Sequence, residues 1–203
     1  MNGREDVWQR VEAFRLLHHR PGQVSLPVDV FSLAELQLGL DIIPFEDLFA
    51  KYDVDAAITI DFTGIYVDKA AYVLWENGPV WKQNRLRFSV AHELGHFALH
   101  RDVAAQTSFS TFEEFARWLR GHDGQRYALE QAANEFAGRL LVPVDRLQDC
   151  FEEFARRFDQ QLPHWRHIEG VRQAFCDQVA PKFGLNAQVI AVRLDREGIW
   201  PAR

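Results

Sequence analysis

The segment from Arg85 to His100 constrains the fold more than any other part of the chain. It contains no proline and is apolar on most sides, which predicts a buried helix with Asn84 as its N-cap. Within it, His92, Glu93 and His96 form the pattern H-E-x-x-H. At about 100° per residue the two histidines stand about 40° apart and one turn along the axis, so both imidazoles can reach one zinc ion. The segment therefore predicts a buried helix with a face that can bind a metal ion.

Glu93 is offset by one position from the first histidine, near the metal but angled so that it can hold a water molecule. We predict that it acts as the general base. In the alternative interpretation, His92 and His96 are ordinary helix residues and Glu93 lies on the surface. A glutamate and two histidines would be costly to bury unpaired among apolar neighbours, and metal coordination removes that cost.

A catalytic zinc usually takes three protein ligands, so a third has to come from elsewhere in the chain. His100 continues the i+4 series, but it is turned about 80° from His92 and lies about 12 Å further along the axis. Glu130 begins a strong helical pattern, and that helix can return against the first one. Asn134 follows one turn later and is predicted to hydrogen-bond a ligand. On these residues alone, Glu130 as a ligand and Glu130 as a solvated surface glutamate both stay open.

The composition bounds the class of protein. The 203 residues are 47% hydrophobic and 26% charged, which suffices for a folded core. The formal charge of -6 disfavours general nucleic-acid binding, because phosphates are held mainly by clustered Lys and Arg. We expect neither a membrane segment nor a signal peptide, since no long apolar run occurs and the first residues are charged. Cys150 and Cys176 lack C-x-x-C spacing and are expected to be buried thiols of a cytoplasmic protein.

Hydrophobic periodicity predicts an α+β fold, mainly helical, with a small antiparallel sheet before the H-E-x-x-H helix. Pro44 should lie at a strand end or edge, because it cannot donate a ladder hydrogen bond. Strands are predicted over Asp41–Phe45, Ala57–Phe62, Gly64–Asp68 and Ala71–Trp75. Further helices are predicted over Arg4–Arg20, Asp29–Gly39, Thr111–Arg120, Arg126–Leu141, Asp145–Asp159, Val171–Phe183 and Ala187–Arg196.

Two motifs in order resemble those of the ImmA/IrrE metallo-endopeptidases: R-x-R-F-x-x-A-H-E-x-G-H, then E-x-x-x-A/N-x-F-A-x-x-L-L-x-P. The matching residues are Arg85, Arg87, Phe88, Ala91, His92, Glu93, Gly95, His96, Glu130, Asn134, Phe136, Ala137, Leu140, Leu141 and Pro143. The resemblance implies a zincin-like domain in which Glu130 completes the metal site with His92 and His96. It also implies site-specific cleavage of a helix-turn-helix (XRE-type) transcriptional repressor, which relieves repression in a stress or mobile-element response.

We accordingly expect a zincin-like domain over residues 1–145 and a helical region over 146–203, packed on or continuous with the first. This region ends in a helix-turn-helix-like pair. From Phe175 onward its charges are 4 basic and 3 acidic, a net of +1, so packing or substrate docking is favoured over DNA reading.

Several alternatives stay open. A zinc-containing regulatory protein that binds a repressor or DNA without hydrolysis is the alternative function. Manganese or another divalent metal is an alternative cofactor. His100 and Tyr127 are candidates to stabilise an oxyanion.

Overall fold

Helices surround a small sheet in the computed structural model of the chain, which describes residues 4–18, 25–104, 111, 114, 124–159, 162 and 164–200. The helices are α1 (Arg4–His18), α2 (Val30–Ser32, continuing as a π-helical turn over Leu33–Gln37), α3 (Leu48–Tyr52), α4 (Lys69–Val73), α5 (Val80–Ala104), α6 (Gly124–Leu141), α7 (Val144–Phe158), α8 (Val171–Phe183) and α9 (Ala187–Glu197). The strands are β1 (Asp41–Phe45), β2 (Ala56–Ile58) and β3 (Gly64–Asp68), and Trp165–His167 form a 3-10 turn. The predicted mainly helical α+β class is confirmed.

The sheet has the order β1-β3-β2 and is mixed. β2 and β3 form an antiparallel hairpin, whereas β1 pairs with β3 in parallel, from Asp41 opposite Gly64 to Phe45 opposite Asp68. The prediction of an antiparallel sheet is therefore wrong for the β1–β3 pair, because α3 and β2 separate these strands along the chain and β3 inserts between β1 and β2. Pro44 lies on the edge strand β1, as predicted.

β2 ends four residues earlier than the apolar run predicted, because Thr59 and Asp61 start a turn. The hydroxyl of Thr59 accepts hydrogen bonds from the backbone N–H groups of Thr63 and Gly64, at 3.1 and 3.0 Å. Asp61 also accepts from Thr63. Short polar side chains that bond the nearby backbone compete with strand pairing in this way.

The predicted strand Ala71–Trp75 is wrong, since residues 69–73 form α4. Asp68 caps this helix by accepting from the backbone N–H of Ala71 at 3.0 Å. Tyr72 and Trp75, three residues apart, then both contact the ring of Phe31, with centroids 5.5 and 4.7 Å away. That spacing belongs to a helix and not to a strand.

Helix α5 begins at Val80, directly after Pro79, and not at Asn84. A proline with its fixed φ suits a helix start, so the chain enters the helix one turn earlier than predicted. Asn84 is therefore buried within the helix instead of capping it, and its side-chain amide donates to Asn186 at 3.5 Å.

The remaining predictions mostly hold. Asp29 caps α2, and α1, α6, α7, α8 and α9 match the predicted helices to within about two residues at each described end. Thr111–Arg120 lies largely outside the described residues. Cys176 is buried as expected and Cys150 is half-buried, both as free thiols. Within the described ranges, no helix is long and apolar enough to cross a membrane.

Helices α5 and α6 form the centre of the molecule and approach each other closely at Gly95. A Cβ at this position would lie only 3.0 Å from the carbonyl oxygen of Ala133 and 3.2 Å from Cβ of Phe136. One hydrophobic cluster joins α5 and α6 to α1, to the sheet and to the C-terminal helices. The predicted boundary between residues 145 and 146 stays a prediction.

Candidate metal centre

Three predicted ligands converge where α5 and α6 face each other. His92 and His96 lie one turn apart on α5, and Glu130 reaches them from α6. The Nε2 atoms of the two histidines are 3.0 Å apart. Glu130 Oε2 lies 3.2 Å from Nε2 of His92, and its Oε1 lies 3.3 Å from Nε2 of His96. The returning helix thus brings together one ligand atom from each of the three residues, all within 4.8 Å of one another.

Each of the two imidazoles is also held at its other nitrogen. Nδ1 of His92 lies 3.0 Å from the side-chain oxygen of Asn134, one turn after Glu130 on α6. Because an amide oxygen only accepts, His92 donates its Nδ1 proton, and in the neutral form of the ring the lone pair is then on Nε2. Nδ1 of His96 lies 2.9 Å from Nδ1 of His100. The sequence predicted the first of these contacts and missed the second.

Glu93 lies next to His92 on α5, and one of its carboxylate oxygens contacts the sheet. It is only 6% exposed, and its Oε2 accepts a hydrogen bond from the backbone N–H of Ile58 at 2.8 Å. Ile58 is the last residue of β2, which is an edge strand. The backbone of the sheet thus fixes the orientation of the carboxylate beside the candidate ligands, and no sequence motif signals this contact.

Burial and the mutual proximity of these groups shift their pKa values. Burial raises the pKa of Glu93 above its ordinary value, against the opposing effect of His92 and His96. For Glu130, burial also favours the neutral acid, but hydrogen bonds from the two histidines outweigh it and hold its pKa well below the usual range. Burial disfavours the cation of His92, yet Glu130 and Glu93 raise its pKa. Glu130 is therefore a carboxylate at neutral pH, as a metal ligand has to be.

The two oxyanion candidates occupy very different places. His100 is buried behind His96, on the side of the ring that faces away from Glu130. Burial, together with the nearby His96, lowers the pKa of His100 to about 3, so it is a neutral imidazole. Tyr127 lies on α6 one turn before Glu130 and is largely exposed to solvent. The structure leaves Tyr127 accessible from outside and places His100 in contact with a ligand instead.

A cavity of about 350 Å³ adjoins this centre between α5, α6 and α9. Its lining includes Asn134, which contacts His92, and Phe88, one turn before His92 on α5. Asn186, Val189 and Val192 contribute the opposite wall from the C-terminal helix-turn-helix-like pair. The same pair packs against α5, since Arg87 donates to the carbonyl of Gly184 at 2.7 Å. The packing role predicted for these helices is thus seen, and the expectation that they do not read DNA stays a prediction.

Comparison with known proteins adds one finding. A family model described as the IrrE N-terminal-like domain, a peptidase family, matches residues 66–195. The matched range begins within β3, includes all three candidate ligands, Glu93 and α8, and ends two residues before the end of α9. No curated protein matches the chain.

Proposed function

The chain belongs to the peptidase family of the IrrE N-terminal-like domain, and we propose that it is a zinc-dependent endopeptidase in which His92, His96 and Glu130 hold the metal and Glu93 is the general base. The observation that carries this proposal is the convergence of three ligand atoms from two helices. The described part of the chain provides them on rigid elements, as a catalytic site requires.

The ligand distances fit zinc. Ligand atoms about 2.0–2.1 Å from a tetrahedral zinc ion stand roughly 3.3 Å from one another. The Nε2 atoms of His92 and His96 are 3.0 Å apart, and each lies 3.2–3.3 Å from one of the two oxygens of the Glu130 carboxylate. Two neutral imidazoles and one carboxylate are also a common ligand set of catalytic zinc, which keeps a fourth position open. Manganese or another divalent ion would use the same groups, and the affinity order places zinc above manganese.

When bound, the metal supplies Lewis acidity that activates a water molecule and polarises the scissile carbonyl. Glu93 accepts the proton of the attacking water and passes it to the leaving amine. Its raised pKa suits both steps, because the carboxylate is basic enough to take the proton and acidic enough to return it. The backbone N–H of Ile58 keeps the carboxylate oriented, and Asn134 orients the imidazole of His92.

For the substrate we propose a helix-turn-helix (XRE-type) repressor, as the family resemblance implies, with cleavage that relieves repression in a stress or mobile-element response. The formal charge of -6 supports a protein partner over nucleic acid. Since such repressors act on DNA in the cytoplasm, we propose that this chain acts in the same compartment.

The test uses the helix-turn-helix regulator encoded beside this protein. It is incubated with the zinc-loaded chain and followed by intact mass spectrometry. The wild type should give two fragments whose masses sum to the intact mass plus one water. Glu93→Gln should bind zinc as the wild type does and yield no fragments, because the amide cannot accept the proton.

Glu76→Gln is the matched control, since Glu76 is an exposed carboxylate outside the site, and it should cleave as fast as the wild type. Cleavage by Glu93→Gln at the wild-type rate would contradict the assigned base. A regulator that binds the zinc-loaded wild type and keeps its mass would instead favour the non-hydrolytic regulatory alternative.

A further inference from the structure

His100 is a buried histidine that the proposed reaction leaves without a role. It lies one turn after His96 on α5 and is only 4% exposed. Its Nδ1 is 2.9 Å from Nδ1 of His96, and the ring centroids are 5.0 Å apart. The two rings meet at 56°, so the contact is made through the nitrogens and not by stacking.

Two imidazole nitrogens at this distance share one proton, with one ring donating and the other accepting. The far nitrogen of His96, Nε2, is the atom that faces His92 and Glu130. A metal ligand needs its lone pair at that atom, so the proton of neutral His96 has to be on Nδ1. His100 then has to accept at Nδ1 and carry its own proton on Nε2.

We propose that His100 is a positioning residue, which fixes His96 in the tautomer and ring orientation that bind the metal. The inference rests on the proposed function, because it assigns His96 as a ligand. Asn134 provides the matching contact for the other imidazole, at 3.0 Å from Nδ1 of His92. Each ligand histidine thus has one acceptor, an amide from α6 for His92 and a third imidazole from α5 for His96.

The first experiment compares zinc affinities of the full chain, measured by competition with a chromophoric chelator. His100→Phe keeps a flat ring but removes the acceptor, so zinc affinity should fall about 10- to 100-fold. His100→Asn offers an amide oxygen near the position of Nδ1 and should stay within about threefold of the wild type. If His100 had a purely structural role, His100→Phe should bind zinc more tightly than His100→Asn, because Phe fills the buried space better than Asn.

Zinc affinity of His100→Phe equal to the wild type, or His100→Asn as weak as His100→Phe, would overturn the proposal. Zinc binding by the wild type separates failure of the proposed function from failure of the role of His100. If the wild type binds no zinc, the proposed function fails and this inference with it. If the wild type binds and both variants bind equally well, only the role of His100 fails.

A second measurement needs no variant and applies even if His100→Phe does not fold. Nitrogen-15 NMR of the zinc-loaded wild type should show a proton on Nδ1 of His96 and a scalar coupling across the hydrogen bond to Nδ1 of His100. An unprotonated Nδ1 on His96, or the absence of this coupling, would overturn the proposal.

Discussion

Helix α6 contributes to two polar clusters that differ in how their charges are matched. One is the metal cluster of His92, His96 and Glu130. The other, here called the ion cluster, consists of Glu135, Arg139, Arg193, Arg196 and Glu197, and links α6 to α9. In the ion cluster donors meet acceptors: Arg193 donates to Glu135 at 3.0 Å, and Arg139 donates to Glu197 at 3.2 Å.

The metal cluster instead turns three potential electron-pair donors towards one point. Two imidazole nitrogens lie 3.0 Å apart, and a carboxylate oxygen lies 3.2–3.3 Å from each, so a cation bound by all three groups would satisfy them. Buried charges are tolerable when they are paired with each other or coordinate a metal. In the ion cluster the buried charges are paired with each other, which stabilises the fold. The arrangement of the metal cluster fits coordination of a metal.

The largest effect on the free energy of unfolding is expected in the ion cluster. Arg193 is 2% exposed, and burial lowers its pKa to about 10 against the opposing effect of Glu135, so it stays cationic at neutral pH. Arg193→Met leaves the carboxylates of Glu135 and Glu197 short of a partner and should lower stability by about 3–5 kcal/mol. Urea unfolding of the metal-free protein measures this loss.

Arg157→Met is the control, because Arg157 pairs with Glu153 at the surface, at 2.6 Å, and both side chains are about half exposed. Exposed pairs contribute little, so its unfolding midpoint should stay at the wild-type value. A loss for Arg193→Met below about 1 kcal/mol would show that the ion cluster does not hold α9 in place.

A smaller loss is expected where α5 and α6 touch. In Gly95→Ala the new methyl group would lie 3.0 Å from the backbone oxygen of Ala133, and moving two helix backbones apart should cost about 1–3 kcal/mol. Zinc affinity should fall as well, because the separation moves Glu130 away from the two histidines.

Gly138→Ala is the control on α6, at a glycine that faces a side chain of α9 and not the backbone of α5. Its methyl group would meet only the side-chain Cδ of Arg193, at 3.3 Å. Stability should therefore stay within about 1 kcal/mol of the wild type, since alanine is the better helix former. Equal stabilities and equal zinc affinities of the two variants would contradict the close-packing account of Gly95.

The smallest effect on the fold is expected at the metal cluster itself. Asn134 is exposed, so Asn134→Leu should leave the unfolding of the metal-free protein unchanged. Zinc affinity should nevertheless fall about 10- to 100-fold, because His92 loses the acceptor that fixes its tautomer. Unchanged zinc affinity, measured by chelator competition, would remove Asn134 from the site.

The sequence predicted the convergence of His92, His96 and Glu130 better than it predicted the sheet, because helical periodicity acts locally. The i+4 spacing of His92 and His96 survives any tertiary arrangement of a helix, and the helical pattern after Glu130 sufficed to suggest a second helix. The parallel pairing of β1 with β3 depends on chain crossing and leaves no mark in either strand. The hydrogen bond from Ile58 to Glu93 joins residues 35 positions apart through a backbone group, which no side-chain pattern encodes.

The contact between His96 and His100 and the helix α4 were both missed because the sequence pattern at each place fits more than one structure. The i+4 step from His96 to His100 puts His100 too far along the helix to share a metal with His92, but the same step brings the rings of His96 and His100 into contact. Asp68 precedes Lys69, Ala70 and Ala71, good helix formers that could have been recognised as a capped helix, although the aromatic residues that follow also suit a strand.

The most direct test of the central claim is a zinc titration of the metal-free chain by calorimetry, with Glu130→Ala and Gln131→Ala beside the wild type. Gln131 is the exposed neighbour of Glu130 on α6 and serves as the control. The wild type and Gln131→Ala should each bind one zinc ion per chain with equal affinity. Glu130→Ala should bind more than about 100-fold more weakly, since it loses a ligand and not merely a ligand's hydrogen-bond partner. Tight zinc binding by Glu130→Ala, or none by the wild type, would contradict the assignment of this site.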